Sequence, residues 1–282
     1  MKDQPSRTAW RVALSRAAHQ LLDRPPVFDD PVALAIVGAR GVAQIRAAAL
    51  HYHLPPSRHL RAFLVARSRV AEEALAESVR RGVRQYVVLG AGLDTFAHRN
   101  PYPASALRVF EVDHPATQAW KRRQLAAASL APPESLVFVP VDFESQRLPE
   151  QLSCAGFRAG EPAFFSWLGV TMYLTRATVL GTLGFIARLP QRSGIVFDYA
   201  VPPATLSLVR RVVVRAVMRR VAAAGEPWKS FFDPRELADE LHTLGFRQLE
   251  DLGPEDLNAR FFRARADGLC VGGLGRVMSA RS

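Results

Sequence analysis

Short apolar runs rich in β-branched and aromatic residues alternate with amphipathic stretches through the middle of the chain. The runs predict buried strands, and apolar positions at helical spacing predict helices between them. A chain in which strands and helices alternate is typical of a parallel sheet covered on both faces. We therefore expect an α/β fold with a doubly wound, mostly parallel, seven-stranded sheet. The predicted strands lie at 85 to 90, 107 to 113, 136 to 142, 163 to 168, 194 to 200, 246 to 251 and 268 to 278. The helices within this core lie at 94 to 98, 115 to 129, 145 to 153 and 176 to 188.

The segments that flank this core are predicted to be helical. Apolar residues recur at helical spacing in residues 6 to 50 and again from Ser57 to Gly82. A helix rich in valine and arginine is expected at 205 to 224, and a further helix at 233 to 244. We expect a single domain over 1–282 with four parts. They are an N-terminal helical cap (1–84), a ligand-binding core (85–200), a helical lid (201–232) and a C-terminal helix with strands (233–282).

Length and composition fit a protein with a large apolar core. The chain has 282 residues, of which 49% are hydrophobic. Its longest nearly uncharged apolar stretch, Ala163 to Leu174, is shorter than the ~20 residues that span a bilayer. Two cysteines, Cys154 and Cys270, are too few for a disulfide framework and lack metal-type spacing. We expect a cytoplasmic protein with no membrane segment and no metal site.

The chain carries a formal charge of +11, which by itself favours a phosphate-rich partner. The excess is nearly all arginine, since the only lysines are Lys2, Lys121 and Lys229. No basic run is interleaved with aromatic residues, as it would be in a nucleic-acid site. We attribute the charge to an arginine-rich composition. An RNA-directed or non-catalytic binding module remains the alternative.

A glycine loop follows the first strand at Gly90-Ala91-Gly92. Glycines at this spacing allow a tight turn and a close approach of the backbone to a ligand. A pyrophosphate there would meet Asp94, and Thr95 stands where the dinucleotide fingerprint needs a third small residue, so NAD and FAD are disfavoured. A cationic nucleoside such as S-adenosylmethionine fits better. Asp113 ends the second strand about 20 residues further on, where an acid can bind ribose hydroxyls.

These segments together resemble one enzyme family. The residues that carry the resemblance are SRTA, FLVARSR, QYVVLGAGLDTFAHR, FEVDHP, VFVPVDF, SWLGVTMYL, FDYA and EPWKSFF. The chain is similar to the leucine carboxyl methyltransferase-like family of S-adenosylmethionine enzymes, and in particular to its bacterial branch. The resemblance implies a class I methyltransferase, Rossmann-like fold and O-methylation of a small molecule or carboxylate.

The resemblance also implies roles for individual residues. Arg67 would pair with the carboxylate of the cofactor's methionine part, and the backbone of Gly90, Ala91 and Gly92 would contact the methionine part and ribose. Asp113 would bind the ribose, and Asp142-Phe143 would bind adenine through a carboxylate and a backbone N–H. Structural alternatives are a solvated helix arginine at Arg67, a capping carboxylate at Asp113 and an Asx turn at Asp142.

The chain departs from the better-characterised branch of the family at Leu168. The resemblance places there a glutamate that helps to hold the cofactor's ammonium group, so this chain needs backbone carbonyls, such as that of Gly90, or another acid. Tyr173 still matches and is the candidate residue at the reaction centre. A carboxylate acceptor needs no general base, whereas an alcohol or phenol does. Tyr173, Tyr199 and His114 are the candidates for such a base.

Overall fold

A computed structural model describes residues 6–142, 146–205, 227–273 and 275–282, together with positions 211, 214, 218, 219 and 222. Its centre is one seven-stranded sheet. The strands are β1 (Gln85–Leu89), β2 (Arg108–Asp113), β3 (Leu136–Pro140), β4 (Ala163–Trp167), β5 (Gly194–Ala200), β6 (Gln248–Leu252) and β7 (Gly275–Arg281).

The strand order fixes where a ligand can bind. It runs β3-β2-β1-β4-β5-β7-β6. The first five strands in sequence are parallel, and β7 lies antiparallel between β5 and β6. The order reverses between β1 and β4, and ligands of such sheets bind outside the carboxyl ends of the strands at this reversal. The predicted doubly wound, mostly parallel sheet is confirmed.

The central strands are buried on both faces, as their continuous apolar runs predict. In β1, Tyr86 and Val88 belong to one apolar cluster, and Val87 and Leu89 belong to another on the opposite face. The N-terminal helices are α1 (Arg7–Leu22), α2 (Val32–Ala47), α3 (Ala49–His53) and α4 (Pro55–Arg80). The later helices are α5 (Pro115–Ala127), α6 (Leu148–Cys154), α7 (Arg176–Ala187), α8 (Pro234–Leu244) and α9 (Pro254–Phe261).

Helices cover both faces of the sheet. The long helix α4 contributes seven residues of the first cluster, from Ala62 to Leu75. Helices α7 and α8 supply Val179, Leu183 and Leu237 to the second cluster. Burial of an apolar side chain of this size contributes about 1.5 to 3 kcal/mol.

The helices α1 and α2 pack against each other over a third apolar cluster. This cluster also contains Leu93, just after the glycine loop, and Leu125 on α5. The N-terminal helices therefore rest on the loop that the sequence marks as a ligand site.

Two features near the C-terminus differ from the prediction. The strand predicted at 268 to 278 begins only at Gly275, so its first half was wrong. The helix α9 was not predicted. Its Asn258 side chain hydrogen-bonds to both the N–H and the carbonyl of Val271, the groups that a neighbouring strand would otherwise pair with. The adjacent Leu269 is buried in the first cluster from a loop.

Most of the lid helix predicted at 205 to 224 lies outside the described residues. Within the described ranges, no helix is both long and apolar enough to cross a membrane.

Candidate active site

The glycine loop leaves β1 through two residues in the left-handed region, with φ of 65° at Gly90 and 49° at Gly92. The N–H groups of Gly90 and Ala91 both donate to the carbonyl of Val112, at 2.8 and 3.0 Å. This bond pair ties the loop to the end of β2. A side chain at Gly90 would collide with Val170, so both the conformation and the space require glycine.

Asp113 faces the same loop from the end of β2. Its Oδ2 accepts from the Gly92 N–H at 2.5 Å, and its Oδ1 accepts from the His114 N–H at 2.7 Å. Burial raises the pKa of Asp113, while these two N–H groups oppose the shift. Each carboxylate oxygen has further acceptor capacity, so a vicinal diol could still donate to it. The structure brings Asp113 and the glycine loop together, as the sequence indicated.

Asp142 lies just beyond the end of β3. The N–H of Val141 donates to the Asp113 carbonyl at 2.9 Å, which places the ends of β2 and β3 side by side. The backbone of Asp142 forms a turn closed by Gln146, whose side-chain oxygen accepts from the Asp142 N–H at 2.9 Å. Phe143, the other predicted adenine residue, lies outside the described residues.

Arg67 approaches the site from α4. Its side chain is 7% exposed, so it is not a solvated helix arginine. Nη1 donates to Oδ2 of Asp198 on β5 at 2.5 Å. The other oxygen of Asp198, Oδ1, accepts from the Gly169 N–H at 2.5 Å. Arg69, by contrast, lies on the surface and pairs with Glu73.

The chain after β4 forms the side of the site opposite Asp113. Leu168 is partly buried and packs against the apolar cluster under α4. Gly169 has φ of 77°, and a Cβ there would lie 2.8 Å from Nη2 of Arg67. Arg67 therefore lies directly against the backbone that follows β4.

Tyr173 ends a short 3₁₀ helix, Thr171–Tyr173, and is half-buried. The segment 229–232 closes over this turn. Lys229 donates its N–H to the Met172 carbonyl at 2.6 Å, and Ser230 Oγ donates to the Thr171 carbonyl at 2.9 Å. These bonds join the end of the predicted lid to the turn that carries Tyr173.

A buried ionic cluster ties the N-terminal helices to the glycine loop. Arg16 on α1 donates to Asp30 at 2.6 Å, to Thr95 at 2.7 Å and to Asp94 at 3.2 Å. Burial opposes the charge on Asp94, but Arg16 and the other nearby cations together outweigh burial and hold the pKa of Asp94 below its usual value. Because Asp94 is paired, it would repel a pyrophosphate less than the sequence indicated.

A second buried ion pair lies below the site and was not predicted. Lys121 Nζ on α5 contacts Glu111 Oε2 at 2.5 Å, and both side chains are 1% exposed. Burial raises the pKa of Glu111 to about 7 against the attraction of Lys121. Glu111 Oε1 has no hydrogen-bond partner among the described residues. A charged residue inside the apolar strand run was the available signal.

Two of the candidate bases are engaged elsewhere. Tyr199 donates its hydroxyl to Asp251 at 2.8 Å, and burial together with that carboxylate raises its pKa. A phenol in this setting is a poor base. His114 caps α5, because its Nδ1 accepts from the Ala116 N–H at 3.2 Å. No cluster of three His, Cys, Asp or Glu side chains suited to a metal ion occurs within the described ranges.

Comparison with known proteins gives consistent matches. The model of the leucine carboxyl methyltransferase family matches residues 9–187. A relative from Bacillus subtilis (strain 168), named "Putative S-adenosyl-L-methionine-dependent methyltransferase YktD", is 35% identical over 291 residues. The alignment covers 95% of this chain and 95% of that protein.

Solved structures of low sequence identity share the fold. A DUF574 family protein from Streptomyces avermitilis is 18% identical with a TM-score of 0.51, and the match covers 96% of this chain and 97% of that one. The S-adenosylmethionine-dependent methyltransferase SibL, in its apo form, is 13% identical with a TM-score of 0.50. That match covers 96% of this chain and 69% of SibL.

Proposed function

From the premise that the chain belongs to the leucine carboxyl methyltransferase family, and is an S-adenosylmethionine-dependent methyltransferase, we propose that it methylates an oxygen atom of a small molecule. A carboxylate is the favoured acceptor. The family's printed name refers to a carboxyl group.

The position of the cofactor is supported by the convergence of its predicted ligands at the strand reversal. Gly90 to Gly92 offer backbone close to the ligand, and Asp113 offers acceptor oxygens to the ribose hydroxyls. Asp142 would meet the adenine amine, and Arg67 would meet the tail carboxylate. This convergence at the ends of β1, β2, β3 and β4 is the observation that carries the proposal.

The bound cofactor supplies an activated methyl group, because its sulfur is positively charged. The protein must then hold the acceptor oxygen about 3 to 3.5 Å from that methyl in line with the breaking bond, and must exclude water. The turn that carries Tyr173 and the segment 229–232 over it are suited to enclosing an acceptor.

The preference for a carboxylate follows from the state of the candidate bases. A carboxylate is ionised at neutral pH and needs no proton removed, whereas a phenol or alcohol does. Tyr199 has a raised pKa and His114 is a helix cap, so neither is suited to taking a proton. Tyr173 would then contribute by contact with the acceptor.

The test is transfer of a radiolabelled methyl group from S-adenosylmethionine to a panel of carboxylic acids, phenols and amines. Methyl esters release methanol in mild alkali, whereas methyl ethers and N-methyl groups do not. We expect alkali-labile products that require Asp113, so that Asp113→Ala abolishes them. Transfer only to nitrogen, or no transfer to any oxygen acceptor by protein that binds the cofactor, would contradict the proposal.

A further inference from the structure

A buried carboxylate interrupts the apolar run of β5. Asp198 is 1% exposed, and its neighbours Phe197 and Tyr199 are equally buried. An isolated ionised carboxylate is costly to bury, so it is retained only with compensating partners. Among the described residues, the partners of the Asp198 carboxylate are the Arg67 guanidinium and the Gly169 N–H, each at 2.5 Å.

The register of the sheet explains why Asp198 reaches both groups. Trp167 on β4 lies opposite Phe197 on β5, so the next residues, Leu168 and Asp198, emerge side by side. Leu168 carries no charge, so the counter-charge for Arg67 comes from the neighbouring strand. Thr171 Oγ1 also donates to the Asp198 carbonyl at 2.6 Å, which fixes the chain after β4 against the same residue.

Asp198 engages only one of the three nitrogens of Arg67. Within the described residues, Nε and Nη2 have no hydrogen-bond partner. Nη2 lies over Gly169, where even a methyl group would be within 2.8 Å of it. The guanidinium is thus held at one edge, and donors remain on the rest of the fork.

We propose that Asp198 is a positioning residue for cofactor binding, which holds Arg67 across Gly169 so that its free donors face the carboxylate of the cofactor's amino-acid tail. The inference rests on the proposed position of the cofactor. Asp198 itself acts through Arg67, because its side chain is 1% exposed and so presents almost no surface to a ligand.

Three ligands dissect this role by calorimetry. S-adenosylhomocysteine has the whole amino-acid tail, its decarboxylated analogue retains only the amine, and methylthioadenosine has neither group. Asp198→Asn is nearly isosteric, and its amide oxygen can still accept from Gly169. We expect Asp198→Asn to weaken the affinity for S-adenosylhomocysteine about tenfold or more and to change the affinity for the other two ligands by less than about twofold.

The arginine is tested in the same way. Arg67→Met should weaken the affinity for S-adenosylhomocysteine by a similar factor. Arg67→Met combined with Asp198→Asn should weaken it no further than Arg67→Met alone. The double variant Arg67→Met with Asp198→Leu removes both charges and leaves neither unpaired. It serves as a second test if Asp198→Asn does not fold, and it should bind S-adenosylhomocysteine as Arg67→Met does.

Several results would overturn the proposal. Unchanged affinity of Asp198→Asn for S-adenosylhomocysteine would show that Arg67 needs no positioning. Weaker binding of the decarboxylated analogue by Asp198→Asn would show that Asp198 contacts the amine directly. Additive losses of affinity in either double variant would show that Asp198 acts independently of Arg67. Failure of the proposed function has a different signature, since wild-type protein would then bind S-adenosylhomocysteine yet transfer no methyl group to oxygen.

Discussion

Two glycines with positive φ have different surroundings in this chain. Gly90 and Gly82 both have positive φ, but a Cβ at Gly90 would collide with Val170, whereas a Cβ at Gly82 would meet nothing within 4 Å. Gly82→Ala should therefore cost only the backbone strain, about 1 to 2 kcal/mol. Gly90→Ala should cost more stability in urea denaturation and should also weaken S-adenosylhomocysteine in calorimetry.

Gly82→Ala is the matched control, because it is the same substitution at a positive-φ position on the opposite end of β1 from the glycine loop. Equal effects of the two substitutions on ligand affinity would show that the backbone at Gly90 does not approach the cofactor.

The Glu111–Lys121 pair makes stability depend on pH. Burial raises the pKa of Glu111 from 4.5 to about 7 in the folded protein, so the unfolded chain loses its proton first as the pH rises. The contribution of Glu111 to the free energy of unfolding is fully present below about pH 4.5 and is lost as the pH rises towards about 7. Between about pH 5 and about pH 8, wild type should lose roughly 2 kcal/mol relative to Glu111→Leu with Lys121→Met.

Urea denaturation at the two pH values measures this difference. Asp113, whose pKa is also raised by burial, is present in both proteins, so only its coupling to Glu111 and Lys121 differs between them. A wild-type protein that gains stability relative to the double variant over this range would reverse the sign and contradict the assignment.

At the scale of residues, the sequence predicts the site residues that lie at the ends of strands. Asp113 and Gly90 are found where β1 and β2 stop, because parallel strands end at one edge. Asp198 could not be found this way. Its partners Arg67 and Gly169 come from α4 and from the chain after β4, and only the folded register brings the three together.

At the scale of elements, the attachment of the N-terminal helices depends on Arg16. Its side chain is 6% exposed, and it joins α1 to Asp30 and to the residues just after the glycine loop. Arg16→Leu leaves Asp94 and Asp30 with fewer compensating charges. We expect a loss of about 3 kcal/mol in the free energy of unfolding, with weaker S-adenosylhomocysteine binding, by denaturation and calorimetry.

A surface ion pair provides the control for Arg16. Arg158 pairs with Glu161, and the two side chains are 73% and 43% exposed. Arg158→Leu should cost less than about 1 kcal/mol and leave ligand affinity unchanged. If Arg16→Leu were as mild, the cap would be held by its apolar contacts alone.

Element prediction succeeded where burial is uniform and failed where side chains replace strand pairing. The central strands were predicted because apolar runs such as Tyr86 to Leu89 are buried on both faces. The last strand was placed too early because Leu269 and Val271 have strand composition but are buried from a loop. The Asn258 side chain, which is 13 residues away in sequence, takes up the backbone groups of Val271 in place of a strand partner.

At the scale of the whole molecule, the charge of +11 is separable from the proposed ligand. S-adenosylhomocysteine carries no phosphate, so its affinity should change less than about twofold between about 0.05 and 0.5 M salt. A nucleic-acid ligand should lose orders of magnitude over the same range. Calorimetry and a filter-binding salt series measure the two, and RNA binding that resists salt would favour the RNA-directed alternative.

The overall fold is readable from sequence because alternating strands and helices leave few topologies. The acceptor site is not, since the segments expected to enclose it meet the core only through folded contacts. Lys229 and Ser230, for example, both donate backbone N–H groups to the Met172 carbonyl, and most residue types could make the same bonds.

The most direct test of the account is a crystal structure of the protein with S-adenosylhomocysteine. We predict the ribose hydroxyls within about 3 Å of the Asp113 carboxylate and the tail carboxylate within about 3 Å of the Arg67 guanidinium. A nucleoside bound away from both Asp113 and Asp142, with the strand ends at the β1–β4 reversal left empty, would contradict it.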